Sequence, residues 1–408
     1  CWEAGGAPAY WPWVQILRGV RRSSGDASFD PHLEALAQLQ PDVPTLPPEQ
    51  ARFQLMDAVS NVLVEAARET PMLLVLEDLH VADVSTVLLL EFLSGPVRHE
   101  PFVLLGTFRE AELAKAPAGA QLRRTARLGE QLALERFGQK DIAAFLSATS
   151  ETADPTLVQA LQRSTDGHPL FLVEVARLWR MRAREKLSEP APIPASIRTT
   201  IEERLATVAP DCIAMLRRGA VVGREFDIGL LEVCHGTNGY AELAREAAES
   251  SILVEVAPER YRFIHFLIRE QVYNSIPEDD RSTWHAKVAE NLRTGSQGAE
   301  PHWSEIAHHL TASGRCAEAV SAYRKAGSQA LEHLAFDEAV RAYRSAIRAA
   351  ERAGSLPTND LIDLRIELAH ALNRNGDVDG AKHACVEAAT AARKIDDAEL
   401  LARAALEH

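Results

Sequence analysis

The sequence predicts an α/β core with a partial parallel sheet, then a small helical cluster, a module of short helices closed by a hairpin, and an all-helical repeat array. Three observations carry that prediction. Two apolar runs, Met72-Leu73-Leu74-Val75-Leu76 and Phe102-Val103-Leu104-Leu105, do not alternate polar with apolar, so both are expected to be strands buried on two faces of a parallel sheet. Ile252 to Val256 and Tyr261 to Ile264 flank a turn at Pro258-Glu259, the signature of a hairpin. Phe336, Ala339, Tyr343 and Ala346 return 42 positions later as Val378, Ala381, Cys385 and Ala388, a fixed period of small and large apolar residues.

Taken in order, Tyr10, Trp11 and Trp13 are expected to pack a loop onto the core. Glu49 to Glu69 has helical spacing without internal Pro or Gly. Between the apolar runs, Asp83 is a good N-cap for the apolar helix that follows. Helix, strand, helix, strand is an α/β crossover unit. Residues 139–185 read as a helical cluster opening at Asp141-Ile142. Pro190, Pro192 and Pro194 mark a joint, and 196–250 give three or four short helices before the hairpin. From about Pro301 the chain is helical, and stacked helix pairs of the tetratricopeptide kind fit the period. Glu318-Ala319-Val320 to Tyr323 echoes Glu338-Ala339-Val340 to Tyr343 at a spacing short enough to mean successive helices. An ordinary helical bundle is the alternative.

Composition narrows the function. The 408 residues suffice for two to four domains. Against 58 Asp and Glu stand 44 Lys and Arg, a formal charge of -14, whose field repels nucleic acid and anionic membrane. The five cysteines are scattered, with no CxxC pair, which argues against zinc knuckles and disulfide frameworks and fits a reducing, cytoplasmic setting. No apolar run approaches the ~20 residues needed to span a bilayer. The chain opens on Cys1-Trp2-Glu3 without an initiator Met or signal peptide, as expected of a fragment.

The residues that bear chemistry sit at strand ends. The first strand runs into Glu77-Asp78. In P-loop ATPases that is the Walker B position, where one carboxylate holds Mg²⁺ and the next polarises the attacking water. The second strand runs into Gly106-Thr107-Phe108-Arg109, where Arg109 would face the γ-phosphate, a task suited to its charged, planar fork. Read singly, the acids are a strand leaving into solvent and Arg109 a surface cap; two strands ending so in this order favour the chemical reading. His308-His309 is not expected to form a metal pair, because adjacent helical residues point in different directions.

Leu76-Glu77-Asp78-Leu79-His80-Val81-Ala82-Asp83 followed by Gly106-Thr107-Phe108-Arg109 resembles the ATPase module of large LuxR-type regulators, members of the STAND class related to the AAA group. Cys1-Trp2-Glu3 through Gly6 to Trp13 resembles the segment after the phosphate loop in those proteins. Gly167-His168-Pro169-Leu170-Phe171-Leu172 is similar to their GxP motif, whose proline lies against adenine. Arg262-Phe263-Ile264-His265 resembles the stretch carrying the winged-helix histidine that touches ADP phosphates. From the residues alone, Pro169 fits the first turn of a helix, and a histidine on an apolar stretch such as His265 is more often a core residue than a ligand. The resemblance implies a partial P-loop NTPase core with a parallel sheet over residues 1–138 (Walker B and sensor 1, no Walker A). It implies a helical lid over 139–190, a winged helix over 191–298 and tetratricopeptide-like repeats, an all-α solenoid, over 299–408. It implies catalytic roles for Asp78 and Arg109, metal ligation by Glu77 and Asp78, and nucleotide contacts by Pro169 and His265, with ATP or ADP and Mg²⁺ as cofactors.

Several departures bear on those roles. Val81 stands where the family often has Trp, and Phe266 follows His265 where classical members have Asp. The acids run Glu77-Asp78, which leaves open which one takes the metal. No G-x-x-x-x-G-K-[ST] occurs in the 408 residues, so the backbone cradle and lysine for phosphates are missing. The helix expected at Tyr240 to Ser250 carries Glu242, Glu246 and Glu249 against Arg245 alone, unsuited to a DNA groove and better read as an intramolecular latch. The expected function is a nucleotide-dependent regulatory switch. A protein or small-molecule effector would be sensed by the repeats, and self-assembly would come in the ATP state. No direct DNA or membrane contact is expected from these residues. The alternatives are a nucleotide-free interaction scaffold and, with a phosphate loop supplied, a turnover ATPase.

Overall fold

The structure, a computed structural model, describes residues 9–24, 47–148, 155–169, 171–173, 201–202, 204–294, 301–354 and 358–407. Cys1 to Pro8, which carry part of the family resemblance, lie outside the described residues, as do Leu170 and the expected joint at Pro190, Pro192 and Pro194. The chain divides into two compact units: residues 1–131 with 285–408, and residues 132–284.

The first unit begins with α1 (Trp11–Ser24) and α2 (Pro48–Glu69). Proline suits the first turn of α2, where an N–H would have no helical partner. Strands β1 (Met72–Leu76) and β2 (Phe102–Gly106) pair in parallel, Leu74 opposite Leu104 and Leu76 opposite Gly106. Between them runs α3 (Val84–Leu93), a crossover helix. It is apolar nearly all round and is buried at Val84, Ser85, Thr86, Val87, Leu89, Leu90 and Leu93, as a helix must be when elements cover it on several sides. Asp83 caps it as expected, accepting from the Thr86 amide at 2.7 Å. Helix α4 (Gly119–Ala126) follows the sheet.

Two expectations for this unit need correction. Trp11 and Trp13 begin the helix α1, with Tyr10 in the turn just before it, rather than all three lying in a loop. Tyr10 (2% exposed) and Trp13 (0%) are core residues, the Trp13 indole donating to the Thr86 carbonyl at 3.0 Å. By the described residues, meanwhile, the sheet is covered on one face only. Leu74 and Leu76 are buried, but Leu73 (63% exposed), Val75 (45%), Val103 (58%) and Leu105 (51%) form a bare apolar face. Residues alternate between faces along a strand. The described helices cover the Leu74 face, and among the described residues nothing covers the other.

The repeat helices belong to the same unit: α12 (Trp303–Ala312), α13 (Cys316–Glu332), α14 (Phe336–Ala353), α15 (Thr358–Arg374), α16 (Val378–Lys394) and α17 (Ala398–Glu407). The 42-residue echo relates α14 to α16, and the shorter echo falls on the successive helices α13 and α14. Small residues mark close approaches. Ala339 and Ala381 are 0% and 1% exposed, and a Cβ at Gly327 of α13 would lie 2.7 Å from the Tyr343 ring of α14. The two copies differ at their first position. Phe336 is buried (1%) under the Arg52 guanidinium of α2, 5.6 Å from the ring centroid, whereas Val378 is half exposed. His309 of α12 pairs with His285, Nδ1 to Nδ1 at 2.7 Å and both rings buried.

The second unit opens with α5 (Gln139–Ala148) and α6 (Pro155–Thr165), joined with Phe171 and Leu172 in one small core. Next come α7 (Pro210–Val222), β3 (Glu225–Asp227), α8 (Ile228–His235) and α9 (Tyr240–Glu249). Strands β4 (Leu253–Ala257) and β5 (Arg260–Phe263) then form the expected antiparallel hairpin, and α10 (Phe266–Asn274) follows. The three strands align in the order β3-β5-β4. Glu259 takes the positive φ of 61° at the hairpin turn. The unit boundary falls inside α11 (Glu278–Thr294).

Candidate functional site

The site is built where the two parallel strands end. β1 runs out at Leu76, so Glu77 and Asp78 leave the sheet at its carboxyl edge, where open α/β sheets bind ligands. Glu77 is exposed and Asp78 half buried. Asp78 adopts a left-handed conformation (φ 55°, ψ 47°), uncommon for a residue other than glycine and best tolerated by Asn and Asp. Its amide donates to Thr107 Oγ1 at 3.1 Å. Backbone bonds from Leu79 N to Thr107 O (2.8 Å) and from Thr107 N to Leu76 O (2.9 Å) tie the two strand ends together. Gly106 leaves room for this closure, because a Cβ there would lie 2.7 Å from Leu79 Cδ1.

Arg109 lies three residues past β2 and engages Glu112, Nη1 to Oε1 at 2.8 Å. The other Glu112 oxygen is 3.3 Å from Nε2 of His80, which is buried (2% exposed) and makes no well-aligned hydrogen bond through either ring nitrogen. The Arg109 hydrogen bond, then its charge and that of His80, hold the Glu112 carboxyl below the usual carboxylate range, while the nearby Asp78 charge opposes them. Asp78, His80, Arg109 and Glu112 therefore form one electrostatic cluster. The Arg109–Glu112 pair is well exposed, 36% and 46%, and pairs of that kind contribute little to stability.

Thr107, His80 and Glu112 were not singled out from the sequence. Thr107 and His80 stood inside the quoted motifs, and the three-residue spacing of Arg109 and Glu112 is a signal for pairing on a helical turn.

The other two expected residues lie in the second unit. Pro169 is exposed and begins a helical turn in which the Leu172 amide donates to the His168 carbonyl at 3.0 Å. Before it, Gly167 is buried at φ 67°, and its carbonyl accepts from the Phe137 amide at 2.8 Å. His265 lies two residues beyond β5 as the N-cap of α10, its Nδ1 accepting from the Leu267 amide at 3.2 Å. Its ring is thus oriented by the helix it caps, and the bond places the neutral ring's proton on Nε2.

Glu77 and Asp78 supply hard oxygen donors of the type magnesium takes, usually one or two carboxylates together with substrate phosphates. Among the described residues, no group of three or more His, Cys, Asp or Glu side chains is placed to hold a metal unaided.

Residues 1–105 match the model of the AAA ATPase domain. The matched stretch carries β1, α3 and most of β2, and the helical repeat array occupies the C-terminal end of the chain. An uncharacterized protein of Rhizobium meliloti (strain 1021) is 26% identical over 310 residues, covering 72% of this chain and 29% of its own length. This chain therefore spans under a third of that relative. A crystal structure of a STAND protein with a tetratricopeptide repeat sensor from Pyrococcus horikoshii aligns over 98% of this chain and 59% of its own, at 14% identity and a TM-score of 0.48.

Proposed function

We propose that this chain is the switch region of a nucleotide-dependent regulator, in which ATP or ADP with Mg²⁺ sets the state and the repeats sense an effector. The observation that carries the reading is the strand-end closure. Two parallel strands finish side by side, and one delivers Glu77 and Asp78 while the other leads to Arg109. In this reading Glu77 and Asp78 hold the metal and Asp78 orients the attacking water. Arg109 leaves Glu112 for the γ-phosphate, a more highly charged partner. Pro169 and His265 contact the nucleotide, His265 through Nε2–H. Each nucleotide acts by binding one state better than the other, so the switch needs no fast turnover.

The helix and strand order from α7 to β5, ending in a hairpin, supports a winged helix over 191–298, between a helical lid over 139–190 and repeats over 299–408. Helix α9 is acidic, and Glu246 accepts from the Ala209 amide at 2.8 Å, which supports an internal latch rather than a DNA-reading helix. No helix among the described residues is long and apolar enough to cross a membrane, and we assign the protein to the cytoplasm on its thiols. Output, such as transcription regulation, and ATP-state self-assembly belong to the whole protein.

Residues 1–408 alone should bind ATP weakly or not at all, because the phosphate cradle is missing from their sequence. Micromolar, Mg²⁺-dependent binding in calorimetry would overturn that expectation. In a longer form that supplies the loop, Asp78→Asn should cut hydrolysis by roughly 10²-fold or more while nucleotide affinity stays within a few-fold. Unchanged turnover would make the acid pair structural. Failure of every longer form to bind nucleotide would favour the scaffold reading.

A further inference from the structure

Helix α3 begins six residues after Asp78, and carboxylates from two distant parts of the chain meet at its N-terminus. Asp83 accepts from the Thr86 amide (2.7 Å) and hydroxyl (2.6 Å). Glu338 reaches in from repeat helix α14. Its Oε1 accepts from the Val84 amide at 3.1 Å and its Oε2 from the Ser85 hydroxyl at 2.7 Å. Arg341, one turn along α14, contacts Glu338 Oε1 at 2.6 Å. The Glu338 side chain is only 13% exposed. The charged and titratable groups around it are Asp83 before α3, Tyr10 before α1, Arg52 on α2, and Asp337 and Arg341 on α14 itself.

A helix N-terminus attracts an anion, and it satisfies a carboxylate with orphan amides. Two carboxylates at one such site with a single bonded guanidinium are a different case. Desolvation and mutual repulsion both favour keeping a proton on the pair. We propose that Glu338 is a proton-linked clasp: it holds the repeat array on the helix that leads away from the acid pair, and closing it takes up a proton.

The chemistry fixes the direction of the effect. When docked, Glu338 is pushed up to about 7, chiefly by burial and then by the Asp83 charge, from an ordinary value of 4.5. Burial moves Asp83 the same way. A group raised in the closed form favours closure fully below its ordinary value and loses that contribution as pH climbs through the raised one. The clasp is therefore tightest under mildly acid conditions, weakens between about 4.5 and 7, and is level above that range. An effector that draws α14 from α3 would ionise Glu338 and uncap Val84 and Ser85 close to Asp78. That last link rests on the function proposed above; the clasp itself does not.

Hydrogen exchange of residues 79–93 in the full 408-residue chain tests the clasp without nucleotide. After correction for intrinsic exchange chemistry, the closed-to-open ratio should fall by up to tenfold per pH unit between about 5 and 7 and then level off. Glu338→Gln keeps an acceptor oxygen and cannot ionise, so its ratio should change less than about twofold over the same range. A flat profile in the unaltered protein, or an equal slope in Glu338→Gln, overturns the proposal. If Glu338→Gln does not fold, Arg341→Gln decides. Removing the guanidinium should move the falling limb to higher pH, and an unmoved limb counts against the clasp. If the profile behaves as expected but Asp78→Asn leaves turnover unchanged in a loop-bearing form, the clasp stands and only the proposed function fails.

Discussion

Trp13→Ala is expected to destabilise the first unit by about 3–5 kcal/mol, the usual range for removing a fully buried tryptophan. The indole is 0% exposed and bonds the Thr86 carbonyl at the N-terminal turn of α3. Truncation therefore empties a large site beside the Asp83 and Glu338 contacts. Trp13→Phe separates the contributions by keeping much of the packing and removing the donor, at an expected cost of about 1–3 kcal/mol. Hydrogen exchange of the α3 amides under increasing denaturant is the suitable measurement, since a chain of two units need not unfold in one step. A loss below about 1 kcal/mol for Trp13→Ala would mean that α1 does not belong to this core.

The second large effect is expected at Gly167. Its φ of 67° lies in the left-handed region, and a Cβ there would stand 2.2 Å from the Phe137 carbonyl oxygen. Left-handed geometry costs an alanine roughly 1–2 kcal/mol, and the backbone collision adds about 1–3 kcal/mol or more. Gly167→Ala should thus destabilise the α5–α6 cluster by about 2–5 kcal/mol or more. Gly236 is the control. It has φ 62°, with nothing within 4 Å of its would-be Cβ, so Gly236→Ala should show only the conformational part, roughly 1–2 kcal/mol. Equal effects at the two sites, read from proteolytic susceptibility of the second unit, would refute the collision at Gly167.

What could be read from the sequence was local. Asp83 as a cap, the β1–α3–β2 crossover, the hairpin turn at Pro258-Glu259 and the 42-residue echo each follow from neighbours within a few residues or from a fixed period. Where the sequence misled, the deciding contact was distant. An apolar run states that both faces of a strand favour burial, not which residues cover them, and among the described residues none covers the face of Leu73, Val75, Val103 and Leu105. Phe336 and Val378 occupy the same place in the period, but only Phe336 lies under Arg52. Glu338 looks like an ordinary exposed residue of a charged helix, because its partners Val84 and Ser85 are 254 and 253 positions away. In the candidate site, strand-end chemistry pointed to Glu77, Asp78 and Arg109. Thr107 and Glu112, the partners of Asp78 and Arg109, were identified as such only with the geometry.

The 254-residue separation of Val84 and Glu338 has a consequence for biosynthesis. As the chain leaves the ribosome, α3 emerges long before the helix that completes its amino end. At about 5–20 residues per second the wait is roughly 13–50 s. During that interval residues 132–284, a compact unit in their own right, can finish folding, while the apolar α3 and its sheet stand without the repeat helix. Nascent chains stalled just short of residue 338 are therefore the species in which chaperone capture and aggregation of this protein should concentrate.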